Sequence, residues 1–139
     1  MFANGFVAFL CAVAYLITSS KLLFVAFVAA MAEALSDTVA SGIGSSAKRV
    51  YDIFRFEKCL GGISGGISVK GTLASFIAAF FIASIPLCFG ALTVLEFVLV
   101  GCAGFIGAFF DSFLGSILQV KYKCSVCGKI IEKPTHCSA

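Results

Sequence analysis

Four long apolar runs, separated by short polar stretches, dominate the chain and predict its elements. The runs cover about residues 2–18, 22–40, 72–88 and 91–119. A helix of roughly 20 apolar residues can cross the hydrocarbon core of a bilayer. The pattern therefore predicts an all-α, polytopic integral membrane protein with about four transmembrane helices in residues 1–120. A glycine-rich loop over 41–71 separates two pairs of helices, and a Cys/His tail follows at 121–139.

The composition supports a membrane protein and excludes an ordinary soluble domain. Of the 139 residues, 60% are hydrophobic and only 12% are charged, whereas soluble domains average about 25% charged residues. The net charge of +3 is too small to indicate nucleic acid binding. Basic residues concentrate in the loop and the tail. Because cytoplasmic loops carry an excess of Lys and Arg, we expect loop, tail and both termini to be cytoplasmic.

Two aspartates interrupt the apolar runs in matched settings, each followed by a hydroxyl residue. Asp37 lies near the end of the second run and Asp111 within the fourth. A carboxylate in the membrane centre costs about 2.5–3.5 kcal/mol on insertion scales, so such residues usually face a bundle interior or a watery cavity. Glu33 shares a helix face with Asp37. Small residues such as Gly104 would let helices approach closely. The aspartates predict a cation site; a polar lock between helices is the alternative.

A run of glycines within residues 61–71 predicts a phosphate-binding loop. Glycines let backbone N–H groups approach a phosphate, and a helix that begins after them adds the positive end of its dipole. The run is neither a Walker A loop nor a dinucleotide fingerprint. A flexible re-entrant hairpin is the alternative. The candidate binding residues are Ser64, Gly65, Gly66, Ser68 and Gly71.

The tail predicts a structural zinc site. Cys124 and Cys127 are two apart in the manner of a zinc knuckle, and His136 and Cys137 follow. Two cysteines followed by a histidine and a further cysteine are enough to complete a tetrahedral zinc site. Reduced thiols without a metal are the alternative. No disulfide framework is evident, which favours a tail on the reducing side of the membrane.

Together these stretches resemble the membrane protein family called domain of unknown function 92, whose members include transmembrane protein nineteen and a plant phytyl-phosphate kinase. The resemblance covers nearly the whole chain. The matching pieces are residues 3–5, 34–41, 65–68, 71–75, 104–107 and 111–112, with Gly115, Gln119, 121–128 and His136-Cys137.

The resemblance implies a CTP-dependent transferase that adds a phosphoryl group to an isoprenoid monophosphate. Under this hypothesis Asp37 and Asp111 are catalytic and hold Mg²⁺, and the glycine-rich loop donates hydrogen bonds to phosphate. Lys48, Arg49 or Lys70 would offset phosphate charge, while Asn4 and Gln119 would donate hydrogen bonds at the rim. The expected partners are the bilayer, the nucleotide, the isoprenoid phosphate and a second copy of the chain in a homo-oligomer.

The sequence departs from the family pattern at several points. Gly42 stands where the family commonly has an acid, and Ile63 stands where it commonly has Thr. Family members have further spans before the Asn-Gly motif and after the cysteine tail, so we expect a short or truncated member. A non-catalytic multi-pass component, for transport or packing, or a truncated inactive member is the alternative function.

Overall fold

Four helices account for most of the computed structural model, which describes residues 2–47, 49–53, 58–59, 65–118, 122–123 and 130–131. The all-α class is confirmed. The helices α2, α3 and α4 are long and apolar enough to cross a membrane, whereas α1 is shorter, at 17 residues. The helices are α1 (Phe2–Thr18), α2 (Lys21–Ser45), α3 (Val69–Cys88) and α4 (Val94–Leu118).

The helix α2 is central and packs against the other three. At one end of the bundle, Nζ of Lys21 in α2 lies 3.0 Å from Oε1 of Glu96 in α4. These residues begin their helices, so α2 and α4 run in parallel. The helix α3 runs in the opposite direction between them, since its residue Ser75 meets Ser36 near the C-terminal half of α2. The C-terminal ends of α2 and α4 and the N-terminal end of α3 therefore meet at the other end of the bundle.

Small side chains fill the interior of the bundle, and large apolar side chains cover its outside. A Cβ atom on Gly104 would lie 2.8 Å from Cβ of Ala32, so α2 and α4 are in direct backbone contact there. Membrane helices associate through close packing over small residues, because burying apolar side chains away from lipid supplies no hydrophobic driving force. The buried apolar side chains of the described residues are Ala8, Val28, Ala32, Val50, Ala78, Ala79, Ala83, Leu92, Val100 and Ala108.

Capping side chains set where α3 and α4 begin. Ser68 accepts a hydrogen bond from the Gly71 amide at 3.1 Å, so α3 starts at Val69, three residues before the predicted bound. At α4, the amide of Thr93 donates to Glu96 Oε2 at 2.7 Å and the amide of Glu96 donates to Thr93 Oγ1 at 3.3 Å. This reciprocal capping box delays the start of α4 to Val94, after the predicted residue 91.

The helix α2 continues five residues beyond its predicted end at 40, and hydroxyl groups in its last turns bond back to its own carbonyls. Thr38 donates to the carbonyl of Ala34 at 2.8 Å, and Ser45 donates to that of Gly42 at 2.8 Å. Such bonds satisfy polar side chains within the helix itself. The polar stretch after Ala40 thus remains helical.

Short strands cross the predicted loop and the tail. In the loop, β1 (Val50–Asp52) pairs antiparallel with β2 (Lys58–Cys59) on one side and β3 (Gly66–Ile67) on the other. In the tail, β4 (Tyr122–Lys123) pairs antiparallel with β5 (Ile130–Ile131). The three-stranded sheet is attached to α4, because Ser116 Oγ donates to the buried Asp52 Oδ1 at 2.7 Å.

The contact at Gly104 predicts a large difference between two glycine substitutions. Gly104→Ala should destabilise the protein by about 1–3 kcal/mol, because the added methyl overpacks the contact with Ala32. Gly42→Ala meets nothing within 4 Å and should stabilise the helix by about 0.5–1 kcal/mol. Thermal unfolding in detergent would measure both effects. Equal midpoints for the two variants would contradict the close approach of α2 and α4.

Candidate functional site

A cavity of about 460 Å³ opens at the end of the bundle where α2, α3, α4 and β3 meet. It contains many of the residues that the sequence singled out. Its wall is lined by Asp37, Ala40, Ser41, Gly44, Ser45, Gly65, Gly66, Ile67, Ser68, Gly71, Thr72, Ser75, Ala108, Phe109, Asp111, Ser112, Leu114, Gly115 and Leu118.

The two aspartates reach the cavity from parallel helices. Asp37 belongs to α2 and Asp111 to α4. Asp37 lies 16 residues beyond Lys21 and Asp111 lies 15 residues beyond Glu96, the two partners of the ion pair, or about 23 Å along each helix. The similar offsets bring both carboxylates to a similar depth, and both line the same cavity. Hydroxyl groups accompany them, since Ser41 and Ser112 line the wall as well.

Another part of the lining comes from β3 and the first turn of α3. Gly65, Gly66 and Ser68 belong to it, and Ser68 is the N-cap of α3. The positive end of the α3 dipole therefore lies at the wall. Gly71 allows α3 to come this close, because a Cβ atom there would lie 2.9 Å from the carbonyl oxygen of Ala40 in α2.

The described wall is acidic. Asp37 and Asp111 are its charged residues, and no Lys or Arg of the described chain lines it. Arg49 and Lys70 are exposed and lie outside the lining. A phosphate group would therefore meet net negative charge unless a cation accompanied it. Within the described ranges no group of three or more His, Cys, Asp and Glu could hold a metal by itself.

Several predicted site residues lie outside the described residues. These are Lys48, Ser64 and Gln119, together with the four tail residues Cys124, Cys127, His136 and Cys137. Asn4 belongs to α1, and its side chain also lies outside the described part. The zinc site and the rim contacts of Asn4 and Gln119 therefore stay predictions, as does the cytoplasmic placement of both termini.

Polar groups beside the cavity add to the predicted site. The hydroxyl oxygens of Ser36 and Ser75 are 2.6 Å apart, and Ser75 lines the cavity. Their sequence signal is weak, because serines at helical spacing are common in membrane helices. Glu33 is half-buried and close enough to Asp37 and Asp111 to interact electrostatically with both. Its four-residue spacing from Asp37 was the available signal.

Gly65 holds β3 against α4, and a methyl group there should detach it. Gly65 has φ +79°, and a Cβ atom would overlap Ser116. Gly90, at the far end of the bundle, has a similar φ of +69° but meets nothing within 4 Å. Gly90→Ala should cost about 1–2 kcal/mol from backbone strain alone, and Gly65→Ala should cost more. Unfolding midpoints of the two variants would measure the difference; equal losses would contradict the contact between Gly65 and Ser116.

Comparison with known proteins identifies the family. The sequence profile of "Integral membrane protein DUF92" matches residues 1–139. The curated protein "Protein VTE6, chloroplastic" of Arabidopsis thaliana is 34% identical over 103 residues, which cover 73% of this chain and 31% of that protein. "Uncharacterized membrane protein sll0875" of Synechocystis sp. is 32% identical over 97 residues, covering 69% of this chain and 38% of that protein.

The chain thus matches only about a third of the length of these relatives. No solved structure gives a significant match. The family match and the three helices of membrane-spanning length agree on a protein embedded in a lipid bilayer. This chain belongs to the integral membrane protein family DUF92.

Proposed function

We propose that the cavity transfers a phosphoryl group from a nucleoside triphosphate, with CTP the first candidate, to an isoprenoid monophosphate. The observation that carries the proposal is that Asp37 and Asp111 line one cavity together with the glycines of β3 and the N-terminus of α3. Carboxylates suit a cation, and glycine backbone beside a helix N-terminus suits a phosphate. The resemblance to a family that includes a phytyl-phosphate kinase supports the isoprenoid acceptor.

The donor set of the cavity fits Mg²⁺. All its candidate ligands are oxygens, from the carboxylates of Asp37 and Asp111 and the hydroxyls of Ser41 and Ser112. Hard cations prefer oxygen ligands, and Mg²⁺ is commonly bound by one or two carboxylates with substrate phosphates and waters. Two aspartates are therefore a sufficient protein contribution. When bound, the ion would neutralise and orient the phosphates.

We assign the backbone N–H groups that would donate to phosphate to the segment from Gly65 to the first turn of α3. Gly66 has no side chain to keep a phosphate from the backbone, whereas the space beside Gly65 is filled by Ser116. The first amides of a helix have no partner within the helix, which makes those of Val69 and Lys70 further candidates. The Gly71 amide already donates to Ser68, so we assign Gly71 a packing role. We assign to Arg49 and Lys70, which are exposed, contacts with the parts of a nucleotide that would extend outside the cavity.

The reaction requires positioning more than acid–base chemistry. An oxygen of the acceptor monophosphate forms the new bond to the γ-phosphorus. The bond from that phosphorus to the bridging oxygen breaks, and the nucleoside diphosphate leaves with its electrons. The acceptor phosphate is already ionised at neutral pH, so the residues of the wall need not remove a proton. Their task is to hold the acceptor oxygen, the γ-phosphorus and the bridging oxygen in line within an acidic cavity.

A non-catalytic packing subunit is the alternative function. It would need its small-residue stripe as an outer surface for another helix. In α4 the stripe is used inside the chain, because Cβ atoms on Gly101, Gly104 and Gly107 would meet Phe80, Ala32 and Glu33, respectively. This observation favours a site within the chain over a surface for assembly.

Removal of either carboxylate should abolish the transfer. We expect Asp37→Asn and Asp111→Asn each to lower kcat by about 100-fold or more, as when a group that stabilises transition-state charge is lost. The measurement is diphosphate formation from isoprenoid monophosphates with CTP, ATP, GTP or UTP and Mg²⁺, using the full chain in detergent. Glu96→Gln is the matched control, because it removes a carboxylate from α4 at the far end of the bundle.

Three outcomes distinguish the proposed kinase from the non-catalytic alternative. Loss of product in both aspartate variants, but not in Glu96→Gln, supports the kinase and its metal-binding residues. Equal rates in all variants would reject the roles of Asp37 and Asp111. If the well-folded protein forms no product and Mg²⁺ with nucleotide does not raise its Tm, the non-catalytic function is favoured.

A further inference from the structure

Five phenylalanine rings form a continuous ladder across α3 and α4, which we call the aromatic ladder. Each ring contacts the next, with centroid separations between 4.6 and 5.5 Å. Three of the four contacts are edge-to-face, an arrangement that stabilises aromatic pairs. In spatial order the rings are Phe109, Phe105, Phe76, Phe80 and Phe97.

The ladder begins at the cavity. Phe109 lines the cavity wall beside Asp111 and Ser112. From there the ladder follows α4 back to Phe97, a distance of about 18 Å at 1.5 Å per residue. Half of the hydrocarbon core of a bilayer is about 15 Å thick. The ladder thus leads from a polar cavity at one end of the bundle through roughly the depth of one lipid leaflet.

The ladder is exposed at Phe76 and partly buried along the rest of its length. Gly101 lets the ring of Phe80 lie directly on α4, since a Cβ atom there would be 2.6 Å from that ring. Phe76 is 46% exposed, while Phe80 and Phe105 are half-buried. At the cavity, Phe109 belongs both to the wall and to the ladder, and its ring is only partly buried. A molecule in the cavity can therefore reach the ladder through Phe109.

We propose that the isoprenoid chain of the acceptor lies along the aromatic ladder while its phosphate occupies the cavity. The proposal rests on the proposed function and adds the position of the chain and the origin of its length preference. Branched, unsaturated isoprene units present methyl and vinyl C–H groups, which pack well on ring faces and edges. The ladder has a defined end at Phe97, so it supports a chain of limited length.

The position of the chain can be mapped without turnover. The probes are isoprenoid monophosphates that carry a diazirine either near the phosphate or at the far end of the chain. After photolysis of the full chain in detergent, we expect the first probe to label α4 near Phe109 and Leu114. The second should label α3 and α4 near Phe80 and Phe97. Excess unlabelled isoprenoid monophosphate should compete, whereas excess phosphatidylcholine should not.

Chain-length dependence provides the second test. Phe80→Ala and Phe97→Ala should raise KM for a 20-carbon acceptor by about tenfold, since each removes an aromatic contact at the far end of the ladder. The same variants should leave KM for a 10-carbon acceptor nearly unchanged, because a chain of half the length ends before it reaches these rings. The matched controls are Phe81→Ala in α3 and Phe110→Ala in α4, whose rings are exposed away from the ladder.

The labelling and the kinetics distinguish failure of this proposal from failure of the kinase. Labelling of the ladder without turnover would support the chain position and reject the kinase. Turnover with labels spread evenly over all four helices, or competed by phosphatidylcholine, would show that bulk lipid covers the ladder and would overturn the proposal. A KM change that is equal at both chain lengths, or equal in the control variants, would also overturn it.

Discussion

The direct contact between Ala32 of α2 and Gly104 of α4 is the constraint on which the rest of the structure depends. It brings two parallel helices so close that even a methyl group does not fit at Gly104. Asp37 and Asp111 lie one to two turns beyond this contact, and both line the cavity that opens there. The cavity is therefore a consequence of the contact: the helices touch at Gly104, and beyond it β3 and the first turn of α3 occupy the space between their ends.

The distribution of residue sizes reflects the bilayer. In water, large apolar side chains are drawn inward; in lipid they gain nothing by being buried, so small residues that bring backbones together occupy the interior. This explains why alanines form most of the buried set while Phe6, Phe9, Phe81, Phe89 and Phe110 are exposed. The polar groups inside are paired, as between Ser36 and Ser75. Among the described residues no buried side-chain polar atom lacks a hydrogen bond partner.

Much of the fold followed from the sequence, because long apolar runs have few alternatives in a membrane. The helix ends were harder to predict, since they depend on single capping side chains such as Ser68 and Thr93 and on hydroxyl back-bonding in α2. The strands were not predicted. They are only two or three residues long, too short for an alternating pattern to stand out, and β1 and β3 are held by a tertiary contact between Asp52 and Ser116. The gathering of Asp37, Asp111 and the glycines was predictable from loop charge and helix spacing. That Arg49 and Lys70 lie outside the cavity wall was not, because side-chain direction at a loop or a helix start depends on the local backbone.

The ion pair between Lys21 and Glu96 makes one end of the bundle more rigid than the other. On one side of the cavity α2 and α4 are joined by that pair and by the contact at Gly104, while the other end of the bundle encloses the cavity and carries a small sheet attached through Asp52. Helices that are held together at one end and separated at the other can move apart only at the separated end. When the volume of the cavity changes, the separation of α2 and α4 must then change most at the mouth of the cavity and least near Glu96. The deformable part of this protein therefore lies on one face of the membrane.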